Sequence, residues 1–242
     1  MVQKTLVAWD FDLSMIDVNS DEYVFQMMAK HLNPVPFQRA NPHMTWPQNT
    51  LMAKMYEEKP YTREELVEAF RHTPFESIDL LKWLNQQGCD LIIISNANVY
   101  FIQIILEVYG ILDLFPEEKI ISHPASLIEG KGLKIDDYHN LENLHNCVVQ
   151  CPQYMCKGLV LKRYLGQYQT IIYVGDSIPG DWCPCTVLSE SDYVLARKEH
   201  SLHKKLDKMN GTFKCSVLTW ESYQELSSNI RNVIQKTLHA AQ

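Results

Sequence analysis

The chain has 242 residues, of which 46% are hydrophobic and 21% charged, and its 22 basic and 29 acidic residues give a formal net charge of −7. These values are ordinary for a globular protein and exclude a disordered chain, which would combine low hydrophobicity with high net charge. The acidic balance argues against nucleic acid or a membrane surface as a partner, because binding to either needs a positive patch. The longest apolar runs, such as residues 91–94, are far shorter than the roughly 20 residues of a membrane-spanning helix.

Four short apolar runs predict buried β-strands at residues 5–9, 90–95, 170–175 and 192–195. The segments between them carry apolar residues at helical spacing, and several of these segments end at a glycine, as is typical of helix C-termini. This alternation predicts an α/β fold, a Rossmann-like parallel sheet with helices on both faces. We expect a loop-rich stretch over residues 122–153 and a surface helix over residues 219–237.

Residues 20–73 interrupt the alternation with helical patterns only, at residues 21–31, 48–58 and 63–71. Thr62 and Glu65 form a capping box for the last of them. We therefore predict a small all-helical cap, residues 19–73, inserted into a catalytic core made of residues 1–18 and 74–242. Four cap residues could either form the apolar wall of a substrate chamber or fill the cap's own core: Tyr23, Trp46, Met52 and Met55.

Acidic side chains directly follow two of the predicted strands. Asp10 and Asp12 come after the first strand, Asp176 and Asp181 come after a later one, and Ser95 ends the strand between them. Ligands of open α/β sheets bind at the carboxyl ends of the strands, so we expect these groups to share one rim. Four clustered carboxylates repel one another without a cation, and hard oxygen ligands favour Mg²⁺. Taken singly, each motif is also explained by a turn or by a helix cap, as at Ser95.

Taken together, the motifs resemble those of the haloacid dehalogenase-like superfamily of aspartyl-phosphate phosphatases. The resemblance covers the whole chain and includes Asp-x-Asp-x-Ser at residues 10–14, Ser95, Lys157, and Gly-Asp at residues 175–176 with Asp181 following. The segments DVNSDEYVF, ISNAN, CPQYMCKG and GDSIPGDWCP closely resemble the PHOSPHO-type phosphatases. That group includes phosphoethanolamine/phosphocholine, pyridoxal-phosphate, pyrophosphate and thiamine-phosphate phosphatases, and its helical cap lies between the first and second motifs.

The resemblance implies a Mg²⁺-dependent phosphatase that acts on a small phosphorylated metabolite. Asp10 would attack phosphorus and form an aspartyl-phosphate, and Asp12 would act first as general acid and then as general base. Ser14 would hydrogen-bond near the nucleophile, and Ser95 and the amides of the following helix would bind phosphoryl oxygens. Lys157 would bring a positive charge to the nucleophile and the phosphate.

The same resemblance implies that the metal site consists of Asp10, the Asp12 backbone carbonyl and Asp176, with Asp181 binding Mg²⁺ directly or through water. Four residues separate Asp176 from Asp181, where close relatives more often have three, so we expect a small loop shift without loss of the metal.

Two residues bear on the substrate. Asp21 matches an acid that is proposed to contact a cationic amine in the substrates of this group, whereas Asn96 replaces the usual second acid. The loss of this charge weakens the expectation of a choline- or ethanolamine-type substrate. We expect a small substrate, because a cap of about fifty residues encloses a small chamber.

Two other functions share these motifs: a phosphotransferase that uses the same intermediate, and a non-catalytic protein that binds a phosphorylated metabolite. The non-catalytic protein would be expected to have lost Asp10, Asp12 or Lys157, and all three are present. The sequence contains no pattern that specifies an oligomeric state.

The chain has seven cysteines and no recognisable export signal, which predicts free thiols and a cytoplasmic location. A thiolate zinc site is the alternative for some of them. The separations of three and four residues differ from the two-residue spacing of common zinc knuckles and favour free thiols. The cysteines concerned are Cys147, Cys151, Cys156, Cys183 and Cys185.

Overall fold

The computed structural model of the chain describes residues 4–41, 47–139, 145–149, 151–209 and 212–239. The strands within these residues are β1 (Thr5–Trp9), β2 (Asp90–Asn98), β3 (Ile120–His123), β4 (Ala125–Ile128), β5 (Gly132–Ile135), β6 (Thr170–Gly175), β7 (Tyr193–Arg197) and β8 (Ser216–Trp220). Six of them form a parallel sheet in the order β3-β2-β1-β6-β7-β8, and β4 and β5 form a separate antiparallel hairpin.

The helices of the described residues lie between and around these strands. They are α1 (Ser20–Met28), α2 (Pro34–Ala40), α3 (Pro47–Glu58), α4 (Arg63–Phe70), α5 (Ile78–Gln86), α6 (Val99–Val108), α7 (Lys157–Lys162), α8 (Trp182–Val187), α9 (Ser201–Lys208) and α10 (Tyr223–His239). None of the helices in this part of the chain is both long enough and apolar enough to cross a bilayer.

Strand β1 shows how the sheet divides the core into two layers. Successive side chains of a strand point to opposite faces, so Val7 and Trp9 enter one apolar layer while Leu6 and Ala8 enter the other. The first layer includes side chains of α5, α6 and α10, and the second includes side chains of α7, α8 and α9. The parallel sheet covered on both faces confirms the predicted fold class.

Residues 19–73 contain the helices α1 to α4 and no strand in their described part. Helix α4, the third helix predicted in this segment, begins at its capping box, where the side chains of Thr62 and Glu65 each accept the other's backbone N–H. Helix α4 packs onto α6, and the rings of Phe70 and Phe101 lie 4.9 Å apart. Apolar residues of these helices are continuous with one core layer, so the cap boundary at residues 19–73 stays a proposal.

Several elements differ from the sequence prediction. Strands β3 and β8 were not predicted, because one has only four residues and the other is half exposed at the sheet edge. Helix α2 lies in a proline-rich run, where Asn33 caps the helix and Pro34 is its first residue. The β4–β5 hairpin lies in the stretch predicted as loop. The Asn49 side chain of α3 donates through Nδ2 to the Ile135 carbonyl and accepts the Ile135 N–H through Oδ1, both at 2.8 Å. The predicted tail helix begins at Tyr223, and one of its faces is buried.

Candidate active site

The carboxyl ends of β1, β2 and β6 lie side by side at one edge of the sheet, because β1 pairs in parallel with both neighbours. Asp10 directly follows β1, Asp176 directly follows β6, and both side chains are buried. The Asp10 amide continues the ladder by donating to the Val174 carbonyl at 2.8 Å. As a result, carboxylate oxygens of Asp10, Asp176 and Asp181 all lie within 4.8 Å of one another.

A buried lysine balances part of this negative charge. Lys157 is the first residue of α7 and is only 2% exposed. Its Nζ lies 2.7 Å from Asp10 Oδ1 and 2.8 Å from Asp181 Oδ1. Burial alone would lower the pKa of Lys157, but the two carboxylates outweigh burial and raise it. The ammonium group therefore stays charged and forms the positive centre of the cluster.

Both carboxylate oxygens of Asp181 already accept hydrogen bonds. Oδ1 accepts from Lys157 and from the Tyr173 hydroxyl, at 2.8 and 2.7 Å. Oδ2 accepts from the backbone N–H groups of Asp176 and Ser177, at 2.9 and 3.0 Å. Burial would raise the pKa of Asp181, but Lys157 holds it below its ordinary value. These contacts equip Asp181 to hold Lys157 and the loop after β6. The sequence predicted Asp181 as a ligand of Mg²⁺, directly or through water, and did not predict this positioning role.

Glycine is required at position 175, before Asp176, for a steric reason. A Cβ atom at Gly175 would lie 2.7 Å from Cγ and Oδ2 of Asp181, a contact that real Cβ atoms essentially never make. Any side chain at Gly175 would therefore push Asp181 away from Lys157. The Gly-Asp motif needs glycine at this position because it allows the close approach of the second aspartate.

Asp10 and Asp176 have the properties of ligands for a hard cation. Burial, followed by the negative charge of Asp181, raises the pKa of Asp10 to about 8 and the pKa of Asp176 to about 7. These carboxylates resist ionising together, and a divalent cation between them would remove that penalty. Because carboxylate oxygens are the donors that Mg²⁺ prefers, the residues fit the predicted ion.

Asp12 and Asp21 are two further acids with raised pKa values. Burial, followed by the charge of Asp21, raises the pKa of Asp12 well above its ordinary value, and Asp12 Oδ1 accepts the Ser20 N–H at 3.0 Å. Burial raises the pKa of Asp21 to about 7, although Asn98 Nδ2 donates to its carboxylate at 3.1 Å. A carboxyl group with a raised pKa keeps its proton near neutral pH, which suits a general acid.

The two predicted serines lie in different surroundings. Ser95 lines the cavity above the acids, and its Oγ accepts the N–H two residues ahead, so its hydroxyl hydrogen remains available to donate. Ser14 is fully buried, and its hydroxyl points toward Asp176 Oδ1 at 3.5 Å. Helix α6 is capped by Asn98, whose Oδ1 accepts the Phe101 N–H at 2.9 Å. The alternative interpretation of Ser95 as the cap of this helix is therefore wrong.

A cavity of about 290 Å³ opens above the acid cluster. The predicted site residues that line it are Asp10, Asp12, Asp21, Ser95, Asn96, Lys157 and Asp176. Gln38 of α2 and Gln48 of α3 also reach it from the segment predicted as the cap. Three of the apolar residues considered for its wall pack against the core instead: Tyr23, Met52 and Met55. The fourth, Trp46, lies outside the described residues.

Three side chains that support the site were not predicted from the sequence. Tyr173 lies within the apolar run of β6, where its hydroxyl gives no local signal of a polar role. His200 Nδ1 lies 2.9 Å from Asp176 Oδ2. Arg197 of β7 donates to the Leu13 carbonyl at 2.9 Å and so holds the loop of the Asp-x-Asp-x-Ser motif, residues 10–14. Leu13 has a φ of 58° in this loop. The His200 and Arg197 contacts join residues that are 24 and 184 positions apart, so spacing alone could not reveal them.

Comparisons with known proteins show which families the chain resembles over its length. The family model described as "Putative Phosphatase" matches residues 5–234. Inorganic pyrophosphatase 1 of Arabidopsis thaliana is 33% identical over 239 residues, which cover 94% of this chain and 78% of the relative. Pyridoxal phosphate phosphatase PHOSPHO2 of Rattus norvegicus is 31% identical over 249 residues, which cover 96% and 99% of the two chains.

Solved structures share the fold at much lower identity. A substrate-bound phosphoserine phosphatase matches with a TM-score of 0.56 at 11% identity, covering 96% of this chain and 99% of the other. A phosphoserine phosphohydrolase-like protein from Francisella tularensis matches with a TM-score of 0.52 at 14% identity, covering 93% and 99%. The fold and the site thus define a phosphatase with a haloacid dehalogenase-like core. Within that class, the chain belongs to the family of PHOSPHO-type phosphatases, as its motifs predicted.

Proposed function

We propose that the chain hydrolyses a small phosphorylated metabolite, a phosphomonoester or pyrophosphate, through a transient aspartyl-phosphate (an acyl phosphate) on Asp10 with Mg²⁺ as cofactor. The observation that carries the proposal is the buried contact of Lys157 Nζ with Asp10 Oδ1 at 2.7 Å, next to Asp176 and beneath an open cavity. A salt bridge with a purely structural role does not need to lie at the floor of a cavity.

The phosphoryl group would bind between Lys157 and Ser95. The ammonium group offsets the negative charge of the phosphoryl oxygens, and the Ser95 hydroxyl donates to one of them. Asp10 then attacks phosphorus in line with the leaving oxygen. The new bond from the carboxylate to phosphorus forms as the bond to the leaving oxygen breaks, which is covalent catalysis.

Asp12 would transfer protons in both half-reactions, first as general acid and then as general base. Because the pKa of Asp12 is raised, its carboxyl group is protonated, and it gives this proton to the leaving oxygen in the first step. The resulting carboxylate then takes a proton from the water that attacks the phosphorylated Asp10. Inorganic phosphate leaves, Asp10 is restored, and Asp12 is protonated again for the next turnover.

Mg²⁺ would be held by Asp10, Asp176 and the Asp12 backbone carbonyl, with Asp181 contributing directly or through water. When bound, the ion offsets the repulsion between carboxylate and phosphate and stabilises the charge of the transition state. Asp181 also keeps Lys157 beside Asp10 through their 2.8 Å contact. His200, which lies 2.9 Å from Asp176, would orient that carboxylate.

The substrate should be small and should carry a hydrogen-bond donor on its leaving group. The cavity volume of about 290 Å³ supports the size. Asn96 Oδ1 is buried without a hydrogen-bond partner among the described residues, and Asp21 lies in the same wall. An unpartnered acceptor beside a cavity is available to a ligand hydroxyl or amine. Since Asn96 is neutral, we favour such a donor over a quaternary ammonium group.

Phosphate release from p-nitrophenyl phosphate with Mg²⁺ tests the chemistry. The variant Asp10→Asn should lose activity by about 10³-fold or more, because the nucleophile is gone. Equal rates from the variant and the parent would remove the proposal. Phosphate release that rises only with added alcohol acceptors would favour a phosphotransferase, and a panel of small phosphomonoesters and pyrophosphate would identify the preferred substrate.

We also propose a cytoplasmic location, which the absence of disulfides among the described cysteines supports.

A further inference from the structure

A second cluster of metal-ligating side chains lies outside the acid site. The Sγ atoms of Cys147, Cys151, Cys156 and Cys183 all lie within 4.8 Å of one another. Cys147 Sγ is 3.6 Å from Cys151 Sγ and 3.5 Å from Cys183 Sγ, and Cys156 Sγ is 3.6 Å from Cys183 Sγ. A disulfide needs about 2.05 Å between sulfurs, so these separations describe free thiols that converge on one point.

The separations match the edges of a zinc–thiolate tetrahedron. With Zn–S bonds of about 2.3 Å, two sulfurs at the tetrahedral angle lie about 3.8 Å apart. The three sulfur–sulfur distances of 3.5 to 3.6 Å are within about 0.3 Å of that edge. Iron–sulfur clusters distribute their cysteines over several irons, so their sulfurs would not converge around one point in this way.

The four cysteines come from three places in the chain. Cys147 and Cys151 lie in the segment before α7, Cys156 is the N-cap residue of α7, and Cys183 lies in α8. Helices α7 and α8 are in close contact here, because a Cβ at Gly158 would meet Cys183 Sγ at 2.3 Å. Three of the thiols are buried and Cys147 is partly exposed, and none of the four lines the substrate cavity.

We propose that these four cysteines bind one zinc ion in a closed, structural site. The local spacing of three and four residues argued for free thiols, but the fourth ligand comes from 27 residues beyond Cys156 and completes the tetrahedron. Soft thiolates favour zinc, whereas the hard carboxylates of the acid site favour Mg²⁺, so the two sites select different ions.

The zinc ion would also hold the catalytic region in place. Cys156 immediately precedes Lys157, and Cys183 lies two residues after Asp181, so the metal would tie together the segments that carry both side chains. The cysteines are therefore positioning residues for the lysine–aspartate contact. The zinc proposal rests on the sulfur geometry alone and does not depend on the proposed reaction.

Metal analysis of the purified protein tests the proposal. We expect about one zinc per chain by mass spectrometry after extensive dialysis, as a closed four-cysteine site retains its metal. Cys151→Ser should lose most of this zinc, whereas Cys89→Ser should keep it. Cys89 is the matched control because it is buried to the same extent, 8% exposed, and lies outside the cluster. Equal zinc contents in the two variants would overturn the proposal.

A second measurement needs no variant and therefore does not depend on the folding of one. Cobalt-exchanged protein should show the intense visible absorption of tetrahedral thiolate cobalt, and chelation should expose four additional thiols to alkylation. A parent protein that contains no zinc, takes up none and gives no such spectrum would refute the site. Asp10→Asn should retain full zinc, so a failed phosphatase assay and a failed zinc assay remain distinguishable.

Discussion

Helix α7 begins between two polar clusters that use opposite chemistry. On one side, Cys156 joins a group of four thiols that is closed off from the substrate cavity. On the other side, Lys157 enters a group of carboxylates that forms the floor of that cavity. Adjacent residues thus belong to clusters of different ligand type, and of the two only the carboxylate cluster opens onto the cavity.

Apart from removal of the nucleophile itself, the largest effect should come from breaking the acid site at Lys157. In Lys157→Met the carboxylates of Asp10 and Asp181 lose their buried partner, so activity should fall about 10²–10³-fold and stability by about 3–5 kcal/mol. Steady-state kinetics and denaturant unfolding measure the two effects. Lys162→Met, an exposed change in the same helix, should alter neither. Zinc content should not change, and a Lys157→Met protein without zinc would contradict the separation of the two clusters.

The acid site should also respond to pH through Mg²⁺ binding. Metal binds the ionised carboxylates, and the pKa values of Asp10 and Asp176 are raised to about 8 and about 7, so protons compete with the ion below these values. The Mg²⁺ dissociation constant, measured by calorimetry, should rise at least about tenfold from pH 8 to pH 6. Zinc content should stay constant over the same range. A Mg²⁺ affinity independent of pH would contradict the raised pKa values.

The same shifts predict the stability of the metal-free protein. The folded-state pKa values of both acids lie above their unfolded values, so the stability they contribute is present at low pH and lost as pH rises through about 7 and 8. The melting temperature without Mg²⁺ should therefore fall between pH 6 and pH 8.5, and Mg²⁺ should offset the loss. In Asp176→Asn the fall should be smaller and the Mg²⁺ effect should disappear.

A moderate effect should follow from restoring a charge in the cavity wall. Asn96→Asp should raise kcat/KM for a cationic substrate such as phosphoethanolamine about tenfold relative to pyrophosphate, since hydrogen bonds to charged groups add about 1.5–3 kcal/mol. Asn96→Leu, which has no acceptor, should lower kcat/KM for substrates with a donor on the leaving group. Unchanged ratios of kcat/KM in both variants would show that Asn96 does not contact the leaving group.

The smallest effect should come from a single hydroxyl. Tyr173→Phe removes the 2.7 Å hydrogen bond to Asp181 and should reduce stability by about 1 kcal/mol, with a few-fold loss of activity. Tyr164→Phe, the same chemical change in a partly buried residue away from the acids, should have less effect on both. If the two variants behave alike, the Tyr173 hydroxyl does not support Lys157 through Asp181.

Much of the acid site could be predicted from the order of residues along the chain. Asp10 and Asp176 come directly after apolar strands, and parallel strands bring their carboxyl ends to the same edge of a sheet. The supporting contacts could not be predicted in that way. Tyr173 lies in an apolar run, and His200 approaches Asp176 from 24 residues away. Likewise, local spacing did not indicate that Cys183 completes a group of four thiols.

By itself the sequence determined the α/β class, the strands that carry the acids and the family, because hydrophobic period and strand-end motifs are local patterns. Only the tertiary structure decided which oxygens of Asp181 are already hydrogen-bonded, which residues of α2 and α3 reach the cavity, and which thiols converge on one point. Those outcomes depend on how separate segments pack against one another, and packing is set by the shape of the whole core and not by spacing along the chain.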